Sequence, residues 1–140
     1  MKIRSLFFIA LALVLCLALV GCNGGIKKKD AKGTAEAFVA AIEDGDFEDA
    51  RALLHPDSPF DVEKHFNGIE ERKGVDFQKG IEIKRFEEYS YSHYESEVGG
   101  SEYELELRLL VDGKSFELSL DVVKNEGGYG IYDIELDQEP

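Results

Sequence analysis

The sequence predicts an α+β protein, in which N-terminal helices pack on a curved four-stranded antiparallel sheet. Two successive patterns along the chain support this class. Apolar residues recur at helical spacing between positions 34 and 66, and they alternate with polar residues between positions 103 and 136. Helices with one apolar stripe and a sheet with one apolar face must cover each other, so one two-layer domain is expected.

The first two predicted helices are bounded by capping and stop residues. Thr34 is expected to cap the first helix and Gly45 to end it, because glycine readily adopts the left-handed conformation after a last turn. Asp46 is expected to cap the second helix, which stops at His55-Pro56. Their apolar faces consist of Ala35, Phe38, Val39 and Ile42 in the first helix and Phe47, Ala50, Leu53 and Leu54 in the second.

A third, short helix is predicted from Ser58-Pro59, since proline is favoured at the first helical position. Its apolar residues are Phe60, Val62 and Phe66, and Asn67-Gly68 is expected to end it.

The centre of the predicted sheet is a hairpin around Asp112-Gly113, a dipeptide that favours a two-residue turn. Such a turn places Leu109 opposite Phe116 and Leu107 opposite Leu118, so the apolar sets of both strands share one face.

A second hairpin is predicted around a three-residue loop, Asn125-Glu126-Gly127, with Gly127 in the left-handed conformation. This loop places Tyr132 opposite Leu120 and Ile134 opposite Leu118. The other face then carries Asp133, Glu135 and Asp137.

The first strand is predicted within residues 81–98, with a bulge or bend near residues 84–88, where the alternation slips. Two connections to the next strand are open. A loop of Val98-Gly99-Gly100 turns Tyr89, Tyr91 and His93 toward the apolar face, opposite Leu109, Leu107 and Leu105. A loop of Gly99-Gly100 alone turns them outward. The first alternative is preferred because it buries two tyrosine rings.

An export signal is predicted at residues 1–21. Lys2 and Arg4 precede an unbroken apolar run of 15 residues, which is shorter than the ~20 that a membrane-spanning helix needs. The run ends at Leu19-Val20-Gly21-Cys22, which resembles the lipobox of prokaryotic lipoproteins. The resemblance implies a diacylglyceryl group on the Cys22 sulfur and cleavage before it, hence a lipid anchor on the extracytoplasmic face of a cell membrane.

Residues 22–33 show no apolar period and are predicted to be a flexible tether between the lipid and a domain at residues 34–137. The lysines at positions 27–29 are expected to lie beside the bilayer, where they either attract anionic headgroups or merely keep the tether soluble.

The chain is strongly acidic. Its formal net charge is −13, and loss of Lys2 and Arg4 with the signal makes it −15. This balance argues against nucleic acid as a partner, because nucleic-acid binding requires clustered basic residues.

The stretch from Ala35 to Ala50 (AEAFVAAIEDGDFEDA) resembles the opening of NTF2-like domains, where an apolar helix ends at Gly-Asp and a second helix follows. Leu53-Leu54-His55-Pro56-Asp57 is similar to the end of that helix pair. The chain is thus similar to the SnoaL-like and DUF4878-like groups, within the cystatin-like class. The resemblance implies a cone-shaped fold in which the sheet curls around a pocket.

The candidate pocket residues are Tyr89, Tyr91, His93 and Glu95, of which His93 and Glu95 are suited to general acid/base work. Packing of the tyrosine rings is the simpler interpretation, and no catalytic residue is assigned. His55-Pro56-Asp57 is interpreted as a helix stop rather than a site.

Two classes of function remain open. The favoured one is a non-catalytic module that binds a small molecule, a peptide or another envelope protein through the pocket or the acidic sheet face. The alternative is a pocket enzyme of isomerase or hydrolase type that uses His93 and Glu95. No cofactor and no metal are expected, because Cys22 and three scattered histidines do not supply a zinc site.

Overall fold

The computed structural model describes residues 25–91 and 99–140, in which three α-helices precede a four-stranded antiparallel sheet. The helices are α1 (Lys28–Asp44), α2 (Phe47–Ala52) and α3 (Val62–Lys73), followed by a 3-10 helix (Phe77–Lys79). The strands are β1 (Ile81–Tyr91), β2 (Ser101–Val111), β3 (Lys114–Asn125) and β4 (Gly128–Gln138), and they lie side by side in chain order. The predicted α+β class and the predicted order of helices and strands are confirmed.

Helix α1 begins six residues before the predicted cap. Lys27 stands at its N-cap position, and Thr34 lies inside the helix, where its hydroxyl donates to the Asp30 carbonyl at 2.9 Å. The prediction that residues 28–33 are tether is therefore wrong. The physical reason is Ala31, which extends the apolar stripe of Ala35 and Phe38 by one turn and is fully buried. The end of α1 at Gly45 and the cap of α2 at Asp46 are confirmed.

Helix α3 is displaced from its predicted position at both ends. Asp61 caps it by accepting from the Lys64 amide, and Gly74, at φ 62°, ends it. The predicted start fails because the Ser58 hydroxyl donates to the Tyr132 carbonyl at 2.7 Å. The predicted end at Gly68 fails because Ile69 continues the buried face for another turn.

The central hairpin has the predicted register. Leu107 lies opposite Leu118 and Leu109 opposite Phe116. Asp112 and Gly113 both have positive φ, 51° and 76°, as the tight turn requires.

The β3–β4 hairpin differs from its prediction by two residues. Asn125 pairs with Gly128 across a two-residue loop, and a bulge follows, so Ile134 lies opposite Leu120 instead of Leu118. Gly127 lacks the predicted positive φ. A shift of two preserves the face of every side chain, so the acidic residues of β4 still occupy the predicted face.

The bulge lies where the segment after α2 joins the edge of β4. Leu54 forms a parallel bridge to Ile131, and the His55 amide donates to the Ile131 carbonyl at 2.9 Å. Gly130 is required here, because a Cβ at this position would strike the backbone of Leu54 and His55. The end of α2 is thereby fixed to the sheet.

The hydrophobic core lies between the helices and the inner face of the sheet. Phe38, Phe66, Phe77 and Phe116 form a continuous chain of ring contacts with centroid separations of 5.3–6.2 Å. A side-chain hydrogen bond also joins the helices to the sheet: the Glu43 carboxylate accepts from the Ile81 amide at 2.6 Å. Within the described part of the chain, no helix has both the length and the apolar character needed to cross a bilayer.

Candidate interaction surface

The inner face of the sheet is filled by helix side chains. The void among its core residues measures about 10 Å³, which is roughly the space of one water molecule. Pockets for small organic ligands are commonly about 300 Å³ or more. The residues around this void are Phe38, Val39, Ile42, Phe66, Phe77, Ile81, Leu109 and Leu118. This part of the core therefore has no room for an organic substrate.

The two predicted pocket tyrosines do not lie opposite the leucines that the preferred loop, Val98-Gly99-Gly100, had placed there. Tyr89 lies opposite Glu104 and Tyr91 opposite Glu102, rather than opposite Leu109 and Leu107. The bulge between Ile83 and Arg85, in the region where one was predicted, shifts the register of the strand by one residue. His93 and Glu95 lie outside the described residues, so their assignment to a pocket stays a prediction.

The outer face of the sheet carries carboxylates in cross-strand rows. Glu104 on β2, Asp121 on β3 and Asp133 on β4 lie directly opposite one another. The next row places Glu106 and Glu135 on either side of Ser119. Like charges in direct cross-strand positions destabilise a sheet, so packing alone does not explain this arrangement.

The electrostatics of these rows favour uptake of protons. Burial, followed by the charges of Glu104, Asp133 and Glu135, raises the pKa of Asp121 to about 6. Burial and the neighbouring Glu117 carboxylate, to which it is hydrogen-bonded, raise the pKa of Glu106.

Glu102 is the most unusual member of this face. Glu102 is only 7% exposed, and Val123, which lies opposite it on β3, is fully buried. Burial first, and then the charges of Asp121 and Glu104, raise the pKa of Glu102 to about 7. Among residues 25–87 and 99–140, whose side chains the structure describes, no hydrogen bond or ion pair compensates this carboxylate.

The two halves of the outer face differ in charge. Around Arg85 and Arg108 two carboxylates are paired with arginines: Arg108 binds Glu139 at 2.8 Å, and Arg85 binds Glu87. In the other half, no lysine or arginine of the described chain forms an ion pair with the carboxylates. We call this second half the acidic patch; it comprises Glu102, Glu104, Asp121, Asp133 and Glu135.

His55 has a structural position, as its sequence context predicts. Its Nδ1 accepts from the Asp57 amide at 3.1 Å, so Nε2 carries the proton and donates to Asn125 Oδ1 at 2.9 Å. Asn125 Oδ1 also accepts from the Gly127 amide. The buried imidazole therefore links the end of α2 to the β3–β4 loop and has no free nitrogen for catalysis.

His65 on α3 is a second partly buried imidazole, between the rings of Phe60 and Phe66. Burial lowers its pKa, the charge of Arg72 lowers it further, and Asp133 opposes the shift. Its Nε2 has no hydrogen-bond partner in the described structure. Among the same residues, no cluster of three or more histidines, cysteines or carboxylates is arranged to hold a metal ion.

Sequence reasoning identified the acidic face but missed the particular roles of Glu102 and His65. Strict alternation marks Glu102 as an outward residue, and nothing local signals its burial. The contact of His65 with Phe60 depends on where α3 begins, which the capping signals did not reveal.

Comparison with solved structures gives a likeness of fold. No protein-family model and no curated protein matches the chain. The fold is similar to the crystal structure of an NTF2-like protein of unknown function from Cytophaga hutchinsonii, with 16% sequence identity and a TM-score of 0.38. That likeness covers 85% of this chain and 96% of the other.

Proposed function

We propose that this chain is a membrane-anchored, extracytoplasmic lipoprotein whose NTF2-like domain is a non-catalytic binding module. The lipobox resemblance at Leu19–Cys22 supports the anchor. The Gly45-Asp46 junction between two helices, and the sheet that follows, support the NTF2-like assignment. The partner is an envelope protein or peptide that presents basic groups to the acidic patch.

The observation that carries this proposal is the contrast between the two faces of the sheet. Among its described core residues the inner face holds a void of about 10 Å³, whereas the outer face holds five carboxylates without a cationic partner in the described chain. A basic partner would relieve the repulsion along the row of Glu104, Asp121 and Asp133. The enzyme alternative depends on His93 and Glu95, and no contact of the described residues favours it.

Binding of a lysine-rich peptide to the lipidated protein in detergent micelles tests the acidic patch. The variant Glu104→Gln/Asp121→Asn/Asp133→Asn is expected to lose most of the binding. The matched control Glu36→Gln/Glu48→Gln/Glu71→Gln removes the same number of charges from the helices, where all three residues are exposed. It is expected to retain binding. Equal weakening in both variants would show attraction by net charge alone, without a site on the sheet.

The anchor is tested separately by Cys22→Ser. The wild-type chain is expected to begin at a diacylated Cys22 and to enter the detergent phase, whereas the variant keeps its unmodified signal. Intact mass distinguishes the two species. A wild-type protein that retains residues 1–21 in the membrane would contradict the lipoprotein assignment.

A further inference from the structure

The basic residues near the N-terminus of the domain are concentrated at the start of α1. Lys27, Lys28, Lys29 and Lys32 are all exposed, and Asp30 is the single acid of residues 25–35. This segment carries a net charge of +3, from four lysines and one aspartate. Since the chain without its signal carries −15, the remainder carries −18. The lysines thus form a local cationic patch on a strongly anionic molecule.

The chain reaches the folded domain almost immediately after Cys22. A Cβ on Gly25 would lie 3.8 Å from the Ser101 hydroxyl, so Gly25 already contacts the start of β2. Three residue steps separate Gly25 from Cys22, and such a span extends over about 10 Å at most. This distance is close to the Debye length of about 8–10 Å at physiological salt.

These contacts define which end of the domain lies next to Cys22. Ser101 pairs with Lys124, so the start of β2 and the β3–β4 loop lie at the same end of the sheet. Thr34 fastens α1 near this end, because its hydroxyl is hydrogen-bonded to the Tyr129 hydroxyl at 2.9 Å. The Asp112-Gly113 turn lies at the opposite end of β2, roughly 33 Å away at about 3.3 Å per residue.

We infer that the lysines at positions 27–29 and 32 bind the phosphate headgroups of an anionic bilayer, so that the Ser101 end of the domain rests on the membrane. The Asp112-Gly113 turn then points away from it. This inference rests on the proposed lipid at Cys22, which brings the lysines within the range of the surface charge. Each lysine near such a surface adds to the attraction.

Repulsion reinforces the same orientation. Glu104 and Asp121 lie toward the Ser101 end but on the outer side of the sheet, whereas α1 covers the inner side. The bilayer therefore attracts the helix side of this end and repels the sheet side. The domain therefore contacts the bilayer through its lysines, and the acidic patch faces away from the lipid, where a soluble partner can reach it.

Energy transfer from the lipidated protein to labelled headgroups tests this orientation. In the proposed lipoprotein the Cys22 sulfur is acylated, and no other cysteine is left after loss of the signal, so one introduced cysteine gives one label. The exposed residues Glu126, in the β3–β4 loop, and Gln78, in the 3-10 helix, are suitable positions. In phosphatidylcholine vesicles that contain phosphatidylglycerol, transfer from Glu126→Cys is expected to exceed transfer from Gln78→Cys. The difference is expected to shrink in pure phosphatidylcholine and in high salt.

The variant Lys27→Gln/Lys28→Gln/Lys29→Gln is expected to lose the increase in energy transfer from position 126 that phosphatidylglycerol causes. The control Lys64→Gln/Lys73→Gln/Lys79→Gln removes three exposed lysines elsewhere and is expected to keep it. If this increase in energy transfer survives in the first variant, or is absent from a lipidated wild-type protein, the headgroup contact is overturned. The anchor is unaffected by either result. A wild-type protein that carries no lipid overturns both this inference and the proposed anchor.

Discussion

Replacing Glu102 by glutamine is expected to stabilise the domain above neutral pH and to leave it almost unchanged in acid. The pKa of Glu102 is raised from 4.5 to about 7, chiefly by burial. Below about pH 4.5 the carboxyl is protonated in both the folded and the unfolded chain, so it contributes nothing. As the pH rises toward 7, the unfolded chain has lost this proton while the folded chain still holds it. The free energy of unfolding therefore falls over that interval.

The size of the effect follows from the two pKa values of Glu102. The difference between 4.5 and about 7 lowers the free energy of unfolding by roughly 3 kcal/mol above neutral pH, at about 1.36 kcal/mol per pKa unit. Glutamine has nearly the shape of glutamate without its charge, and its amide still needs hydrogen-bond partners in a buried position. A gain of about 1–3 kcal/mol is therefore expected at about pH 8.5, against little change at about pH 4.

Urea unfolding of the wild type and of Glu102→Gln at the two pH values measures this difference. Glu71→Gln serves as control, since Glu71 is exposed on α3, and it is expected to change stability by about 0.5 kcal/mol or less at both pH values. A loss of stability in Glu102→Gln that is equal at both pH values would refute the reasoning. The carboxylate would then be satisfied rather than strained in the folded protein.

Three further substitutions test the contacts that join the layers, each by chemical denaturation. Gly130→Ala is expected to cost about 2–4 kcal/mol, because the added methyl group strikes the backbone that follows α2; no loss would contradict that close approach. Tyr129→Phe is expected to cost about 1 kcal/mol through the lost hydrogen bond to Thr34. Ultraviolet titration should also lose the phenol whose pKa burial raises to about 12. His55→Leu is expected to cost about 1–3 kcal/mol, because Asn125 Oδ1 loses one of its donors and the Asp57 amide loses its acceptor, and Asn125→Ala should be less than additive with it.

The sequence allowed the sheet to be predicted better than the helix boundaries. β2 has eleven residues and β3 has twelve, and the alternation over Tyr103–Leu109 and Phe116–Val122 specifies their faces. Asp112-Gly113 specifies the turn between them, so the β2–β3 register followed directly. The start of α1 could not be recognised because Ala31 is the one small apolar residue among lysines and glycines. Its burial depends on the sheet beneath it, and no local pattern records that contact.

The β3–β4 register and the acidic patch show a second reason for failure. The bulge that displaces Ile134 by two residues lies beside the bridge between Leu54 and Ile131, which joins segments far apart in the chain. Similarly, alternation places Glu102 on the outer face but says nothing about its burial. Both features depend on contacts between distant segments, which one sequence does not reveal.

The bulge in β1 has a consequence for how copies of the protein behave at high density. β1 is an edge of the sheet, and a regular edge strand offers its free backbone groups to any other strand. Ile83, which is 36% exposed, is the kind of residue that favours such pairing. It lies between Glu82 and Lys84, which form an ion pair at 2.8 Å, and the irregular register begins immediately after it. Charge and bulge together oppose the addition of a strand from a neighbouring molecule, so copies of the protein crowded together would remain separate.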